Sequence, residues 1–284
     1  MTIEDHRHTV TITPSDLTVG AKGGRRDRAV LVRTIPRQRM LAILAACGVV
    51  AMALMVSPAA AGAAAPGILP PQASVGGRTY SQWSAAWWQW QLGSQNVPTN
   101  PSADPKPGTS AQPEAVDCHL GQTGQVWFLA GISFAQSFTT TYRSCSVPAG
   151  VFLFFPVFDA WNDNLNCPGL PPLPNTARQL AQNVRQQVDA IDPGTMSVTI
   201  DGANVPGLRD SSTAFRAAAR GFSYTLPDNN LLSPFCATPF PAGTTPPRPG
   251  AFADGVYVLR APLPMGVHQL HWTAQAGKGA MSRT

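Results

Sequence analysis

The chain has 284 residues, of which 44% are hydrophobic and only 12% are charged, and its formal net charge is +5. Most of the positive excess lies in residues 1–39, which hold eight Lys or Arg against four Asp or Glu. The rest of the chain is nearly neutral, so the sequence excludes a basic surface for nucleic acid and predicts no nucleic-acid partner.

The first predicted element is an export leader. Residues 1–29 are interpreted as disordered or as a wrongly assigned start. Residues 30–65 are typical of a signal peptide, because a basic stretch precedes the apolar run Met40–Val56 and small residues follow it. The sequence therefore predicts an exported protein located in the periplasm, in the cell envelope or outside the cell.

Three alternatives to simple cleavage stay open. The apolar run is long enough to remain as a membrane anchor. Leu44–Cys47 matches a bacterial lipobox, which would make Cys47 a lipidated N-terminus. Arg25–Arg26 loosely resembles a twin-arginine export signal. Contact with a membrane is expected only through an uncleaved signal or a lipidated Cys47.

A tryptophan-rich helix follows the Pro/Gly linker at residues 66–78. It holds four of the seven Trp residues of the chain. Thr79 and Gln82 predict a capping box at its start, and Gly93 predicts a left-handed residue at its end. The spacing of Trp83, Trp87 and Trp90 places these three side chains on one face of the helix, which we predict to be structural core.

The sequence after the tryptophan-rich helix predicts short strands and a second helix. The helix runs from a capping box at Thr176–Gln179 to about Ile191. Pro156 indicates an edge position or a bulge in its strand. The predicted strands are residues 125–131, 138–147, 151–158, 196–200, 222–226, 255–261 and 267–273, the last two forming a hairpin through the turn Pro262–Gly266.

These elements predict one domain over residues 79–273 and a frayed tail over residues 274–284. Short strands with turn signals, together with two capped helices, favour a mainly β fold. We predict an antiparallel β-sandwich of jelly-roll or immunoglobulin-like type, with two short amphipathic helices packed on it.

Four cysteines remain once Cys47 is set aside, and an even count in an exported chain predicts disulfides. We favour Cys118–Cys145, because both cysteines flank one hairpin-like block. We favour Cys167–Cys236, because this bond would tie two Pro-rich loops together. Free buried thiols are the alternative. A zinc site is not expected, since no Cys-x-x-Cys pair exists.

Four motifs together resemble a family of exported, uncharacterised bacterial proteins with a Trp-rich N-terminal helix. The motifs are YxxWxxxWWQW at residues 80–90, VWFLAG at 126–131, CxVPAGxxxFFP at 145–156 and PLPxGxH at 262–268. The resemblance covers most of residues 77–272. It implies export but no activity, substrate or cofactor.

Acidic residues are the candidates for catalysis. Glycoside hydrolases need two carboxyls on opposite sides of the sugar bond, and Asp159, Asp163 and Asp228 in facing loops could supply them. Asp159 and Asp163 are also weak candidates for Ca²⁺ ligands. The competing interpretation is that Asp in such loops forms local turns. No cofactor and no other metal site is predicted.

Aromatic side chains are the candidates for binding. Trp88 lies at the shoulder of the aromatic helical face and Trp161 lies in a polar loop, so both are candidates for an exposed ligand surface. The favoured interpretation is a non-catalytic binding or cell-envelope module whose unknown ligand is a carbohydrate or an envelope component. The alternative is a secreted hydrolase that uses the three Asp residues.

Overall fold

The computed structural model describes residues 6–15, 66–103, 114–130, 140–209 and 214–276. The protein is mainly β, and residues 6–15 belong to the same compact unit as the described residues from 66 onward. Its helices and strands are β1 (His6–Ser15), α1 (Tyr80–Leu92), β2 (Glu114–Ala115), β3 (Val126–Phe128), β4 (Thr140–Pro148), β5 (Phe152–Asn162), α2 (Ala177–Asp189), β6 (Ile191–Ile200), β7 (Ala203–Asn204), β8 (Arg216–Phe222), β9 (Ala251–Arg260) and β10 (His268–Ala276).

The strands form two sheets. One sheet has six strands in the order β2-β4-β1-β10-β6-β7, and the other has four in the order β3-β5-β9-β8. Most neighbours are antiparallel, but β1 and β2 run parallel to β4, and β3 runs parallel to β5. The sheets are therefore antiparallel-rich and mixed, whereas the sequence predicts antiparallel pairing alone.

One hydrophobic core joins the two sheets. Phe155 of β5 and Trp272 of β10 lie with their ring centroids 4.9 Å apart. Tyr257 on β9 is fully buried and stacks on Phe154, with centroids 5.1 Å apart. Both helices contact β9, which explains why every residue of this strand is buried.

Helix α1 begins as predicted. The Thr79 hydroxyl accepts from the Gln82 amide, and the Gln82 side chain accepts from the Thr79 amide. The predicted left-handed end is wrong, because Gly93 has φ −79°. Glycine is needed there for space, since a Cβ would lie 2.7 Å from the carbonyl oxygen of Gln89.

Burial of α1 extends beyond the predicted face. The three Trp residues predicted as core are buried, and Trp88, Gln91 and Leu92 are buried with them. A helix that is enclosed on most of its surface belongs to the interior of a domain. Helix α2 is different, because only Leu180, Val184 and Val188 are buried.

The structure corrects the predicted hairpin and confirms one of the two alternatives predicted for Pro156. β9 pairs with β5 and β8, whereas β10 pairs with β6 and β1, so the predicted hairpin is wrong. Pro262 and Pro264 have no backbone N–H to donate to a neighbouring strand. At these residues the chain passes from the four-stranded sheet to the six-stranded sheet. Pro156 marks a bulge in the central strand β5 and not an edge.

The segment from Phe222 to Leu226 also differs from its prediction. Its alternating burial agrees with a strand pattern, but the strand β8 ends at Phe222. Instead Leu226 exchanges backbone hydrogen bonds with the loop at Gly243 and Thr244. Alternation marks an extended chain with one buried face, whether or not a neighbouring strand is present.

The two ends of the described chain extend further than the sequence predicts. β1 lies within residues 1–29, which the sequence assigns to disorder or to a wrong start. Its Thr, Val and Ile residues are β-branched, which favours a strand. β10 continues through Ala274, which is fully buried, into the predicted tail. The leader at 30–65 and Cys47 lie outside the described residues.

Candidate functional site

An open, mostly apolar groove of about 260 Å³ lies where the end of β5 meets the loop after β8. Its walls come from two chain segments that a disulfide joins. One wall consists of Trp161, Leu165, Asn166 and Cys167, and the other of Leu232, Phe235, Cys236 and Phe240. Small-molecule sites in proteins are concave and lined mainly by apolar side chains.

Both predicted disulfides are confirmed. Cys118–Cys145 has Cα atoms 5.7 Å apart, and Cys167–Cys236 has them 5.5 Å apart. The second bond lies in the groove and connects its two walls. Disulfides persist in oxidising compartments, so the pair agrees with an exported protein.

Buried polar side chains hold the first wall. Asp163 is only 4% exposed. One of its carboxyl oxygens accepts from the Leu165 amide at 2.6 Å, and the other accepts from the Tyr224 hydroxyl at 2.6 Å. Asn164 exchanges two hydrogen bonds with the backbone of Asn175. The loop that carries the wall is therefore fixed from inside.

Asn230 holds the second wall in the same way. It is fully buried. Its amide nitrogen donates to the carbonyl oxygens of Pro227 and Phe240, and its oxygen accepts from the Leu232 amide. Leu232 and Phe240 both line the groove, so the groove is shaped before any ligand arrives.

Trp161 connects the groove to the aromatic core. Its ring stacks on Trp88 with centroids 5.7 Å apart, and Tyr224 contacts it edge-on at 6.1 Å. Trp161 is half-buried and lines the groove. Trp88 is only 5% exposed, so the prediction that it lies on an exposed ligand surface is wrong. Its burial follows from the stacking, because Trp161 covers it.

Asp159 is half-buried and lies in a second polar group, next to the fully buried Tyr257. Ser84 of α1 donates to the Tyr257 hydroxyl at 2.8 Å, and that hydroxyl is 3.4 Å from a carboxyl oxygen of Asp159. Gly255 lies alongside, and a Cβ on it would lie 2.5 Å from the Cβ of Asp159. This group joins α1 to the four-stranded sheet.

Burial raises the pKa of both carboxyls. The pKa of Asp159 lies well above its ordinary value, although the Tyr257 hydroxyl partly opposes the shift. Burial likewise raises the pKa of Asp163, against the hydrogen bonds from Tyr224 and the Leu165 amide. A raised carboxyl pKa means that ionisation destabilises the folded chain.

The substitution Asp163→Asn tests this linkage. The free energy of unfolding of the wild-type protein should fall as the pH rises above 3.8, the ordinary pKa of an Asp side chain. The reason is that the unfolded chain releases this proton at a lower pH than the folded chain does. The Asn variant should lack that loss, so its stability relative to wild type should increase with pH. Denaturant unfolding at a series of pH values measures the difference.

A second variant makes this pH test specific. Tyr224→Phe removes a hydrogen bond that stabilises the ionised Asp163, so in this variant the loss of stability should begin at the same pH, extend to higher pH and be larger than in wild type. If the pH profiles of wild type and Asp163→Asn run parallel, the carboxyl is not coupled to folding.

The three candidate catalytic acids make separate local contacts. Asp159 and Asp163 contact two different tyrosines, and Asp228 is exposed and accepts from the backbone amide of Asn229. Bonds from a side chain to a nearby backbone amide are what Asp in turns ordinarily makes. In residues 66–103, 114–130, 140–209 and 214–276, no three His, Cys, Asp or Glu side chains are grouped to hold a metal ion.

The apolar groove residues Leu165, Leu232, Phe235 and Phe240 were not predicted from the sequence. The two Phe residues lie in a Pro-rich loop, on either side of Cys236. Phe235 is 47% exposed. Large aromatic residues next to a disulfide in an otherwise polar loop were the available signal.

Comparison with known proteins identifies no relative. No protein-family model, curated protein or solved structure matches this chain. Within the described residues, none of the helices has the length and apolar character needed to cross a membrane.

Proposed function

We propose that this chain is an exported, non-catalytic binding module of the cell envelope or extracellular space, and that it holds a small ligand in the groove beside Trp161. We further propose that it belongs to the family of exported bacterial proteins that its motifs resemble, and that its two sheets form a sandwich of jelly-roll or immunoglobulin-like type. The two disulfides and the shared core support these proposals.

The groove is the observation that carries the proposal. It is lined by the half-buried indole of Trp161 and by the exposed Phe235, and its walls are held by buried Asp163 and Asn230. A volume of about 260 Å³ lies just below the usual range of ligand sites, which begins at about 300 Å³. A ligand of one ring or a short chain would fit.

The lining favours a ligand with a flat apolar face. Apolar side chains and the Cys167–Cys236 disulfide dominate the walls, and the lining also includes the side-chain amide of Asn166. The side-chain nitrogen of Asn166 donates to the Pro171 carbonyl, and its side-chain oxygen accepts from the backbone N–H of Cys167, so this side chain already has partners. The C–H face of a sugar stacked on Trp161, or a short alkyl chain, matches these walls.

Titration with three probes tests the groove and separates these chemistries. Hexyl β-D-glucoside carries a sugar and a chain, methyl β-D-glucoside carries only the sugar, and 1-hexanol carries only the chain. Calorimetry should show binding of hexyl glucoside, and the two smaller probes identify the part that contributes. Phe235→Ala should weaken this binding at least tenfold, because about 1.4 kcal/mol of apolar contact is lost.

Two further variants serve as controls for the titration. Met265→Ala removes a side chain of similar exposure outside the groove, since Met265 is 54% exposed, and it should bind the probe like wild type. Trp161→Phe keeps a ring against Trp88 but shortens the stacking surface, and it should bind more weakly. If the wild-type protein binds none of the three probes, or if Phe235→Ala binds as wild type does, the groove is not the binding site.

A further inference from the structure

The central position of the six-stranded sheet is filled by a strand that precedes the leader. β1 lies between β4 and β10. It is parallel to β4 from Arg7 to Ser15 and antiparallel to β10 from His6 to Ile12. Cleavage of the signal peptide predicted at residues 30–65 would remove β1 together with the leader.

We propose that the processed protein keeps this strand position open and binds there an extended segment of a second protein, parallel to β4 and antiparallel to β10. The inference rests on the export and cleavage that form part of the proposed function. The residues of β4 and β10 that border this position are not among those that line the groove, which lie between Trp161 and Phe240.

The open position resists closure because both of its sides are anchored. Neighbouring strands lie about 4.8 Å apart, so β4 and β10 are separated by about 10 Å across β1. β4 is tied through Cys145 to Cys118. β10 buries Leu270 and Trp272 in the core, and Trp272 contacts Phe155. Direct pairing of β4 with β10 would pull one of them about 5 Å from these contacts.

Two unpaired strand edges facing each other are a strong template for a third strand. Each edge presents backbone N–H and C=O groups, and such edges pair with other chains unless they are covered. A strand entering between two edges forms hydrogen bonds along both of its sides. Strand addition of this kind is a common mode of peptide recognition.

The register indicates the sequence pattern of the incoming strand. The position of Val10 is level with Leu270 on one side and Arg143 on the other, and both of these neighbours are buried. The adjacent position of Thr11 is level with Gln269, which is exposed. The partner segment should therefore alternate apolar and polar residues and be rich in β-branched ones.

The test uses the processed protein purified from the compartment to which it is exported. Mass spectrometry should place its N-terminus after Val56. A synthetic peptide with the sequence of residues 6–15 then serves as the probe. It should bind one to one, slow hydrogen exchange of the β10 amides that face the β1 position about tenfold or more, and at 100 times its Kd raise Tm by roughly 5 °C. The same peptide with Val10→Pro and Ile12→Pro should produce none of these three effects, because proline cannot donate to a ladder.

Three outcomes would overturn the proposal. The first is a mature protein that retains residues 6–15, since β1 would then be a permanent strand. The second is protection, without peptide, of the β10 amides that face the β1 position, which would mean that β4 and β10 have closed; the β10 amides that face β6 are protected in either case. The third is equal behaviour of the two peptides. Titration of the same sample with hexyl glucoside tests the groove separately, so the two proposals can fail independently.

Discussion

Loss of the Cys167–Cys236 bond should destabilise the protein and abolish binding in the groove. The bond closes a loop with a sequence separation of 69 residues, for which the chain-entropy relation gives about 4.4 kcal/mol. The double variant Cys167→Ser/Cys236→Ser should therefore lose several kcal/mol of unfolding free energy, or roughly 10 °C in Tm. Its affinity for hexyl glucoside should fall below detection, because the bond joins the two walls.

The other disulfide supplies a matched control. Cys118–Cys145 closes a loop with a separation of 27 residues, and the same relation gives about 3.5 kcal/mol. Cys118→Ser/Cys145→Ser should lose similar stability but bind the probe with unchanged affinity at temperatures where it remains folded. Equal binding by the two double variants would show that the Cys167–Cys236 bond does not shape the groove.

Trp87→Ala should be among the most destabilising single substitutions in α1. Trp87 is 2% exposed and lies edge-on to Trp88 and Trp90, with centroids 5.1 and 6.1 Å away. Its indole N–H donates to the buried Leu129 carbonyl at 2.9 Å. Truncation of a buried Trp costs about 3–5 kcal/mol, and the carbonyl left without its donor adds about 1 kcal/mol or more.

Two further variants provide the comparison for Trp87→Ala when the free energy of unfolding is measured at equilibrium. Trp87→Phe keeps a ring but loses the indole N–H, so it should lie between wild type and Trp87→Ala. Ser81→Ala on the exposed side of α1 should stay within about 0.5 kcal/mol of wild type. A loss below 1 kcal/mol for Trp87→Ala would mean that α1 is not part of the core.

The features of the candidate site were predicted unequally from the sequence. Trp161 and the Cys167–Cys236 bond were identified, because an aromatic residue in a polar stretch and an even cysteine count are visible without a fold. Trp161 nevertheless lies in β5 and not in the predicted loop. Phe235 and Phe240 were missed, since they become part of a wall only where the loop after β8 meets the end of β5. The Asp and Asn residues of both loops proved to fix the walls from inside.

The sequence by itself determined the local features of this protein. Both capping boxes form from residues three apart in the chain, and the spacing of the Trp residues already marks the buried face of α1. Such signals depend on neighbours in sequence and on helix geometry, so no other part of the chain is needed to interpret them.

The tertiary structure alone decided which strands pair and where a groove opens. Adjacent segments such as β9 and β10 enter different sheets, and β1 enters between strands more than 120 residues away in sequence. The alternating pattern of a strand states which face is buried but not which neighbour it pairs with, because backbone hydrogen bonds between strands are the same for almost every side chain. The partner is chosen by long-range packing, and that choice is made only when the whole core assembles.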